Sequence, residues 1–304
     1  MYDHEPVLLT EALSLLEPKA GQRFIDATLG GGGYTAALLK AVGLRGKVLS
    51  IDLDEAALNN FQGPSTKVHG NFADLDRIIS SHKFGPVDGI VADLGLSSFH
   101  IDESGRGISF QKHEPLDMRF DQRGDTTTAR FLLAKSSEAD LAKIFQKFGE
   151  EKHSRPIARA IVRARAEREI HYTTDLVEVI VAALPKPVKH KWADSARRVF
   201  QALRIAVNHE LENLERFLPA AFNHLAPRGR LAVATFHSLE DRMVKQFFAG
   251  LAKGCVCPPD FPQCVCGRNP QAKILTKKPI IAAEAEQERN PRSRSAKLRA
   301  IQKI

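Results

Sequence analysis

The chain has 304 residues, of which 43% are hydrophobic, and a formal net charge of +8. This length and composition exclude a disordered chain and suffice for one large domain with a full core, or for a domain that contains an insertion. No apolar run reaches the roughly 18 residues that a membrane helix needs, and MYDHEPVLL lacks the features of a secretory signal, so we expect neither a membrane span nor export. The positive charge is a weak indication of a polyanionic partner.

The first part of the chain alternates apolar strands with helices. The predicted elements are a helix at 7–16, strands at 23–29, 47–53, 66–71 and 87–94, and helices at 34–42, 55–61 and 73–81. Strands that are apolar throughout and alternate with helices are typical of a parallel sheet covered on both faces. We therefore predict a doubly wound α/β domain.

The alternation stops near residue 105, and the next hundred residues show only loop and helical patterns. Helices are predicted at 137–148, 155–168, 174–184 and 195–217, followed by a strand at 230–236, a helix at 239–251, a last strand at 273–281 and a basic tail. The prediction is one sheet domain from 1–105 and 213–304, with an all-helical insertion at 106–212. Insertions in α/β enzymes lie near the carboxyl ends of strands, where ligands bind.

Four glycines stand between the first strand and its helix in IDATLGGGGYT. The dinucleotide fingerprint needs a third glycine at its sixth position, which is Thr35 when counted from Gly30 and Ala36 when counted from Gly31. Asp52 ends the second strand and can accept ribose hydroxyls, while Asp26 precedes the glycines and suits a cation. S-adenosylmethionine has an ammonium group and a carboxylate that fit this turn better than a diphosphate does. A nicotinamide-dependent oxidoreductase remains an alternative.

Two further residues follow predicted strands. Phe72 can lie against an adenine face, with Asn71 or Asp74 near the base edge, or it can be a core aromatic. Asp93 ends a largely apolar strand, and an aspartate is too costly to bury there unpaired, so we expect a ligand or substrate contact rather than a loop cap.

The motifs together resemble those of the bacterial 16S ribosomal-RNA (cytosine-N4) methyltransferase family. The matching stretches, in chain order, are HEPVLL, DATLGGGGYT, SIDLD, GNFADL, DGIVADLGLSS, RGISF, PLDMRFD, ARRVFQALRIAVNHEL, FHSLEDR and NPRSRSAKLR. The resemblance implies a Rossmann-like sheet that uses S-adenosylmethionine, with an inserted helical substrate domain. It also implies methylation of the exocyclic amine of a decoding-centre cytidine in the small ribosomal subunit.

By position in these motifs, the resemblance assigns a set of cofactor contacts, namely Gly32, Gly33, Tyr34, Asp52, Phe72, Asp93 and His100. Two of these depart from the common pattern of the family, which often has histidine in place of Tyr34 and glutamine in place of His100. Both side chains can still donate a hydrogen bond.

Asp93 and His237 are the candidate catalytic residues. By analogy with other amino-methyltransferases, Asp93 would accept a hydrogen bond from the cytosine amine; however, the Pro-Pro-aromatic sequence of those enzymes is missing, so Asp93 can instead serve the cofactor alone. In TFHSLEDR, Ser238 and Asp241 have the spacing of a capping box. His237 has no role in this capping box, so it either contacts the substrate, transfers a proton or is a structural histidine.

Basic residues of the insertion predict the RNA surface. Arg155, Arg159 and Arg163 recur at four-residue spacing beside an apolar stripe, and PKPVKHKW ends in Trp192. Arg197, Arg198, Arg204 and the NPRSRSAKLR tail add further positive charge. We expect Arg159, Arg163, Trp192 and Arg198 to contact the substrate RNA, although charged helix faces are commonly only solvated.

The four cysteines all lie between Cys255 and Cys266, which leaves no disulfide framework for the rest of the chain and favours a cytoplasmic protein. Their C-x-C pairs are spaced too tightly for common zinc sites, so we expect reduced thiols and no metal, with a structural zinc as the alternative. Two other functions remain open, a non-catalytic RNA-binding or assembly factor with a vestigial pocket and a DNA amino-methyltransferase. The sequence specifies no oligomeric state.

Overall fold

The computed structural model describes residues 6–95, 104–123, 127–254, 257, 263 and 265–304. The chain divides into two compact units, which we call the sheet unit (Met1–Gly95 and Leu211–Ile304) and the helical unit (Leu96–Glu210). The sequence analysis placed these boundaries at 105/106 and 212/213. In the described part of the chain, no helix has both the length and the apolar character that crossing a membrane requires.

The sheet unit has seven strands in the order β3-β2-β1-β4-β5-β7-β6. They are β1 (Arg23–Asp26), β2 (Lys47–Asp52), β3 (Thr66–His69), β4 (Val87–Asp93), β5 (Leu225–Thr235), β6 (Ala272–Ile274) and β7 (Lys297–Lys303). The first five are parallel, and β7 runs antiparallel to β5 and β6. The predicted Rossmann-like α/β class is confirmed.

Helices cover both faces of this sheet. They are α1 (Leu9–Leu16), α2 (Gly33–Val42), α3 (Glu55–Asn60), α4 (Leu75–His82), α10 (Glu210–His224), α11 (Ser238–Ala252) and α12 (Glu284–Arg289). Neighbouring strand residues enter opposite cores because side chains alternate along a strand. Ile25 packs in the core that includes Ile79, Phe217 and Phe248, whereas Phe24 packs in the core that includes Leu38.

The end of the chain differs from the prediction. The strand expected at 273–281 is only three residues long, and the expected basic tail forms β7 between β5 and β6. Leu298, Ala300 and Ile301 are fully buried there, and Arg299 is only 7% exposed. The charges of NPRSRSAKLR hid this strand, because its apolar residues are few and interrupted by cations.

The parallel register brings three acidic strand ends to one edge of the sheet. Asp26 is level with Ser50 of β2 and Val91 of β4, while Asp52 and Asp93 end their own strands. Ligands of open α/β sheets bind at this carboxyl edge.

The helical unit has five helices in its described part. They are α5 (Ala129–Lys135), α6 (Glu138–Gly149), α7 (Ser154–Glu167), α8 (Thr173–Ala183) and α9 (Trp192–Asn208). The long helix predicted at 195–217 is divided, because His209 adopts a left-handed backbone conformation with φ of 52° and separates α9 from α10.

Candidate functional site

The glycine turn between β1 and α2 leaves open space beside Gly30 but not beside Gly32 or Gly33. Gly30 donates its N–H to Asp52 Oδ2 over 2.7 Å, and a Cβ at Gly30 would meet nothing nearer than a carbonyl oxygen at 3.9 Å. A Cβ at Gly32 would lie 2.2 Å from the Phe61 ring, and one at Gly33 would lie 2.5 Å from Pro6. Gly32 and Gly33, predicted as cofactor contacts, are thus required by internal packing, and Gly30 borders the space for a ligand.

Tyr34 holds the N-terminal segment. Its side chain is buried, and its hydroxyl donates to the carbonyl oxygen of Val7 over 2.5 Å. Burial raises the pKa of Tyr34 well above its ordinary value, so the hydroxyl keeps its proton. The idea that this hydroxyl donates to the cofactor is therefore corrected: a contact through Tyr34 is left to its backbone N–H at the start of α2.

Asp52 is held by two backbone amides. Oδ2 accepts from Gly30, and Oδ1 accepts from Asp54 N over 2.8 Å. Because a carboxylate offers about four acceptor positions, these two bonds orient Asp52 without exhausting it. Asp52 is partly exposed, and its contact with ribose hydroxyls stays a prediction.

Phe72 begins a short 3₁₀ turn immediately after β3. It is partly exposed and meets the Phe217 ring edge-to-face at 5.1 Å. Asn71 caps the turn by accepting from Ala73 N, and Asp74 pairs with Arg216 at 2.7 Å. The ring is therefore fixed at the carboxyl edge, while both polar neighbours already have protein partners.

Asp26, expected from the sequence to suit a cation, is fully buried, and its carboxylate is bonded within the protein. Its carboxylate accepts from Thr35 Oγ1 at 2.7 Å and from Thr28 N at 3.2 Å, which ties α2 to the end of β1. Burial raises the pKa of Asp26 to about 7; the hydrogen bonds oppose this effect, and the charges of Asp93 and Asp52 add to it.

Asp93 lies at the edge beside the β5–α11 turn. Its N–H donates to Thr28 Oγ1 at 2.7 Å, and its Oδ1 accepts from Gly95 N at 3.2 Å. Burial raises its pKa to about 7, the Gly95 bond opposes this, and the charge of Glu240 adds to it. Asp93 is therefore held in place at its backbone and can exchange a proton near neutral pH.

The β5–α11 turn is built differently from the capping box predicted at Ser238 and Asp241. His237 is the N-cap: its Nδ1 accepts from Glu240 N at 3.4 Å. The Glu240 carboxylate reaches back to accept from Phe236 N at 2.8 Å and His237 N at 3.3 Å. Sequence analysis missed Glu240, although it stands three residues after the true cap, as a capping box requires.

Asp241 instead pairs with Arg299 of β7. Asp241 Oδ1 accepts from Arg299 Nε at 2.6 Å, and the two side chains are 14% and 8% exposed. Burial alone would raise the pKa of Asp241, but the bonds and charges of Arg299 and Lys297 lower it overall. Arg299 therefore anchors the last strand and is not part of an RNA-binding tail.

The residues at this edge fit S-adenosylmethionine better than a dinucleotide. Two amides of the glycine turn are used internally, Gly30 N by Asp52 and Gly32 N by the Leu29 carbonyl, so they are not available to a diphosphate. Carboxylates and an aromatic ring instead suit ribose hydroxyls, a cation and a base. His100, a further predicted contact, lies outside the described residues.

The predicted RNA contacts of the helical unit separate into two groups. Arg159 is exposed and pairs with Glu138 at 3.3 Å, and Arg163 is exposed with no ion pair among the described residues. Trp192 is 36% exposed and packs edge-on against Phe110. Arg198, by contrast, binds Glu151 at 2.7 Å, and the Glu151 side chain is fully buried.

Arg198 is therefore a structural residue, since it neutralises a buried carboxylate. Arg204 is likewise committed to a bidentate pair with Glu210. Of the four cysteines, only Cys257 and Cys266 lie within the described residues, so the expectation of a metal-free cluster stays a prediction.

Comparison with known proteins connects this geometry to a family. The chain matches the MraW methylase family over residues 1–304. It is 45% identical over 312 aligned residues to "Ribosomal RNA small subunit methyltransferase H" of Heliobacterium modesticaldum, covering 100% of this chain and 99% of the relative. It is 47% identical over 308 residues to the protein of that name from Thermomicrobium roseum, covering 99% of this chain and 94% of the relative.

A solved structure, a putative rRNA methylase from Clostridium thermocellum, overlaps 99% of this chain and 98% of its own, with a TM-score of 0.45 and 14% identity. The sequence match extends from the glycine turn through the insertion to β7. The family resemblance drawn from the motifs is confirmed: this chain belongs to the MraW methylase family.

Proposed function

We propose that this protein is an S-adenosylmethionine-dependent methyltransferase that methylates the exocyclic N4 amine of a decoding-centre cytidine in small-subunit ribosomal RNA. The main support is full-length identity of 45% to a ribosomal RNA small subunit methyltransferase. The site is consistent with it, because its turn amides are used internally and its open edge presents carboxylates and an aromatic ring.

In the cofactor part of the site, each residue has a separate task. Asp52, held by two amides, accepts the ribose hydroxyls, and the Phe72 ring lies against the adenine. The open space beside Gly30 lets the ligand approach the protein backbone closely. When bound, S-adenosylmethionine supplies an electrophilic methyl group on a positively charged sulfur.

In the substrate part, Asp93 is the acceptor for an N4 hydrogen. The N4 lone pair is delocalised into the cytosine ring, so the amine must be oriented and allowed to become pyramidal before it attacks. Orientation of the reacting groups can contribute about 7–11 kcal/mol. N4 would become positive on accepting the methyl group, and the Asp93 carboxylate, as the acceptor of an N4 hydrogen bond, would stabilise that charge until the proton passes to water.

The arginines of α7 bind the substrate RNA. Ile157 and Ile161 are fully buried, and Arg155, Arg159 and Arg163 are exposed along the same helix at four-residue spacing. Neighbours at this spacing lie on one face of a helix, and arginine forks bind phosphate well. The helical unit is thus the substrate-recognition part of the proposed enzyme.

The test is methyl transfer from labelled S-adenosylmethionine to small ribosomal subunits that lack the modification, to free small-subunit RNA, or to duplex DNA. Nucleoside mass analysis of the product is expected to show N4-methylcytidine in ribosomal RNA. An Asp52→Ala variant should lose cofactor binding, while the exposed Asp76→Asn variant serves as a matched control.

Three results would overturn this function. Binding of subunits without any methyl transfer would indicate the non-catalytic assembly factor, and label confined to duplex DNA would indicate a DNA amino-methyltransferase. Nicotinamide binding without S-adenosylmethionine binding would instead support an oxidoreductase.

A further inference from the structure

Only one of the two ring nitrogens of His237 has a hydrogen-bond partner among the described residues. Nδ1 accepts the N–H of Glu240 at the start of α11. Nε2 is buried without a hydrogen-bond partner among the described residues, and the side chain is only 8% exposed. Glu240 Oε1 is 3.1 Å from Nε2 but does not have hydrogen-bond geometry.

The cap determines the tautomer of His237. A nitrogen that accepts a backbone N–H cannot hold a proton, so a neutral ring must have its proton on Nε2. The other tautomer would place two hydrogens between Nδ1 and Glu240 N and break the cap. Nε2 is therefore a hydrogen-bond donor, and a donor without an acceptor is costly to bury.

His237 also lies beside the proposed acceptor of the amine hydrogen. Asp93 is level with Ala234 in the parallel β4–β5 pair, and His237 follows three residues later. The Phe236 ring approaches the next turn so closely that a Cβ on Gly95 would lie 2.7 Å from it. Asp93 also experiences the charge of Glu240, the capping partner of His237.

We propose that Nε2–H of His237 donates a hydrogen bond to the ring acceptor that adjoins the target amine of the substrate base. This role rests on the proposed function and deepens it. A cytosine edge has a donor amine next to the acceptors N3 and O2, whereas uracil has a carbonyl at the amine position and N–H at N3. A donor at His237 and an acceptor at Asp93 match the cytosine edge and oppose the uracil edge.

The same geometry excludes His237 as the base that takes the amine proton. A proton arriving at Nε2 would meet a nitrogen that already holds one, and protonation of Nδ1 would cost the cap. His237 is thus a positioning and specificity-determining residue.

The direct test is ¹⁵N NMR of the histidine side chains in the ligand-free protein at about pH 8. Couplings between the ring nitrogens and ring protons distinguish the two tautomers, and the His237 signals are assigned by their loss in His237→Asn. We expect the Nε2–H tautomer. A Nδ1–H tautomer or a fully protonated ring would overturn the donor role, whatever the activity of the variants.

The second test separates the donor from the cap. Asparagine is a good N-cap, so His237→Asn retains the cap acceptor and removes the donor at Nε2, whereas His237→Ala removes both. We expect His237→Asn to keep wild-type unfolding temperature and S-adenosylmethionine affinity, but to lose about tenfold to a hundredfold in kcat/KM for the small subunit. His82→Asn on the exposed end of α4 is the control and should remain fully active.

The pH dependence distinguishes a donor from a base. For a donor, the loss in His237→Asn is the same at about pH 7 and about pH 9; for a base, an acid limb of the wild-type profile disappears in the variant. Unchanged kcat/KM in His237→Asn, or disappearance of that limb, would overturn the role of His237 while leaving the methyltransferase function intact. Absence of N4-methylcytidine with the wild-type protein would instead overturn the proposed function.

Discussion

The ionisation of Asp93 is predicted to control the pH dependence of cofactor binding. Burial, opposed by the Gly95 hydrogen bond and aided by the charge of Glu240, raises the pKa of Asp93 to about 7. S-adenosylmethionine carries positive charge on its sulfur, so it binds better beside a carboxylate than beside a carboxylic acid. Lowering the pH through this pKa should therefore weaken binding.

The magnitude follows from the fraction of Asp93 that is ionised. With a pKa near 7, about one-tenth is ionised at about pH 6 and about nine-tenths at about pH 8. If only the ionised form binds strongly, the dissociation constant rises about tenfold between these two values, which corresponds to about 1.4 kcal/mol. S-adenosylhomocysteine, which lacks the sulfonium charge, should show a smaller change.

Calorimetric titration of the wild-type protein and Asp93→Asn at both pH values provides the assay. The variant should bind S-adenosylmethionine weakly at about pH 8. The slope of its affinity against pH should be only that which arises from the amine of the cofactor, so the difference in slope between the two proteins isolates the contribution of Asp93. Asp26→Asn is the matched control: its carboxyl also has a pKa raised to about 7, but it is fully buried against Thr35. Equal slopes in wild type and Asp93→Asn would refute this assignment.

Three further predictions concern stability and RNA binding. Because burial raises the pKa of Asp26 to about 7 from 3.8, the folded state favours the protonated acid, and stability should fall as the pH rises from about 4 to about 7, by up to about 4 kcal/mol; denaturant unfolding should show a flatter profile for Asp26→Asn. Arg299→Leu removes the closer of the two cations paired with Asp241, leaving only Lys297 at 3.5 Å, and should lower the free energy of unfolding by about 3 kcal/mol, with partial recovery when Asp241→Asn is added. Replacing Arg159 and Arg163 with glutamine should weaken binding to the small subunit and reduce the slope of log affinity against log salt by roughly two.

The Arg299 prediction and the Arg159 and Arg163 prediction each have a control variant. Arg294→Gln, on the exposed 3₁₀ turn before β7, should leave the unfolding free energy unchanged. If Arg294→Gln lowered that free energy as much as Arg299→Leu does, the loss could not be assigned to the Asp241–Arg299 pair. Arg168→Gln changes an exposed arginine just past the end of α7, outside the four-residue series of Arg159 and Arg163, so its salt slope should match wild type. An unchanged slope in the Arg159 and Arg163 variant would mean that these arginines are only surface residues.

Local sequence patterns were sufficient for most of the architecture and for part of the site. Largely apolar runs predicted β1, β2 and β4 to within a few residues, because a parallel strand buried on both faces needs apolar side chains; β3, at the edge of the sheet, is mostly exposed. The positions of Asp52 and Asp93 followed from the same rule, since an acid that ends such a strand lies at the carboxyl edge. The missing third glycine correctly weakened the case for a diphosphate.

What the sequence by itself determined was therefore the fold class, the family and the placement of Asp52 and Asp93 at the carboxyl edge of the sheet. Only the tertiary structure decided which charged residues are already paired within the protein. Arg198 and Arg299 resemble surface cations in the sequence, yet each neutralises a carboxylate that is 47 or 58 residues away. Periodicity reveals which face of an element is buried, because neighbouring residues suffice to define it; the partner of a buried charge is set by how distant segments pack, and no local pattern records it.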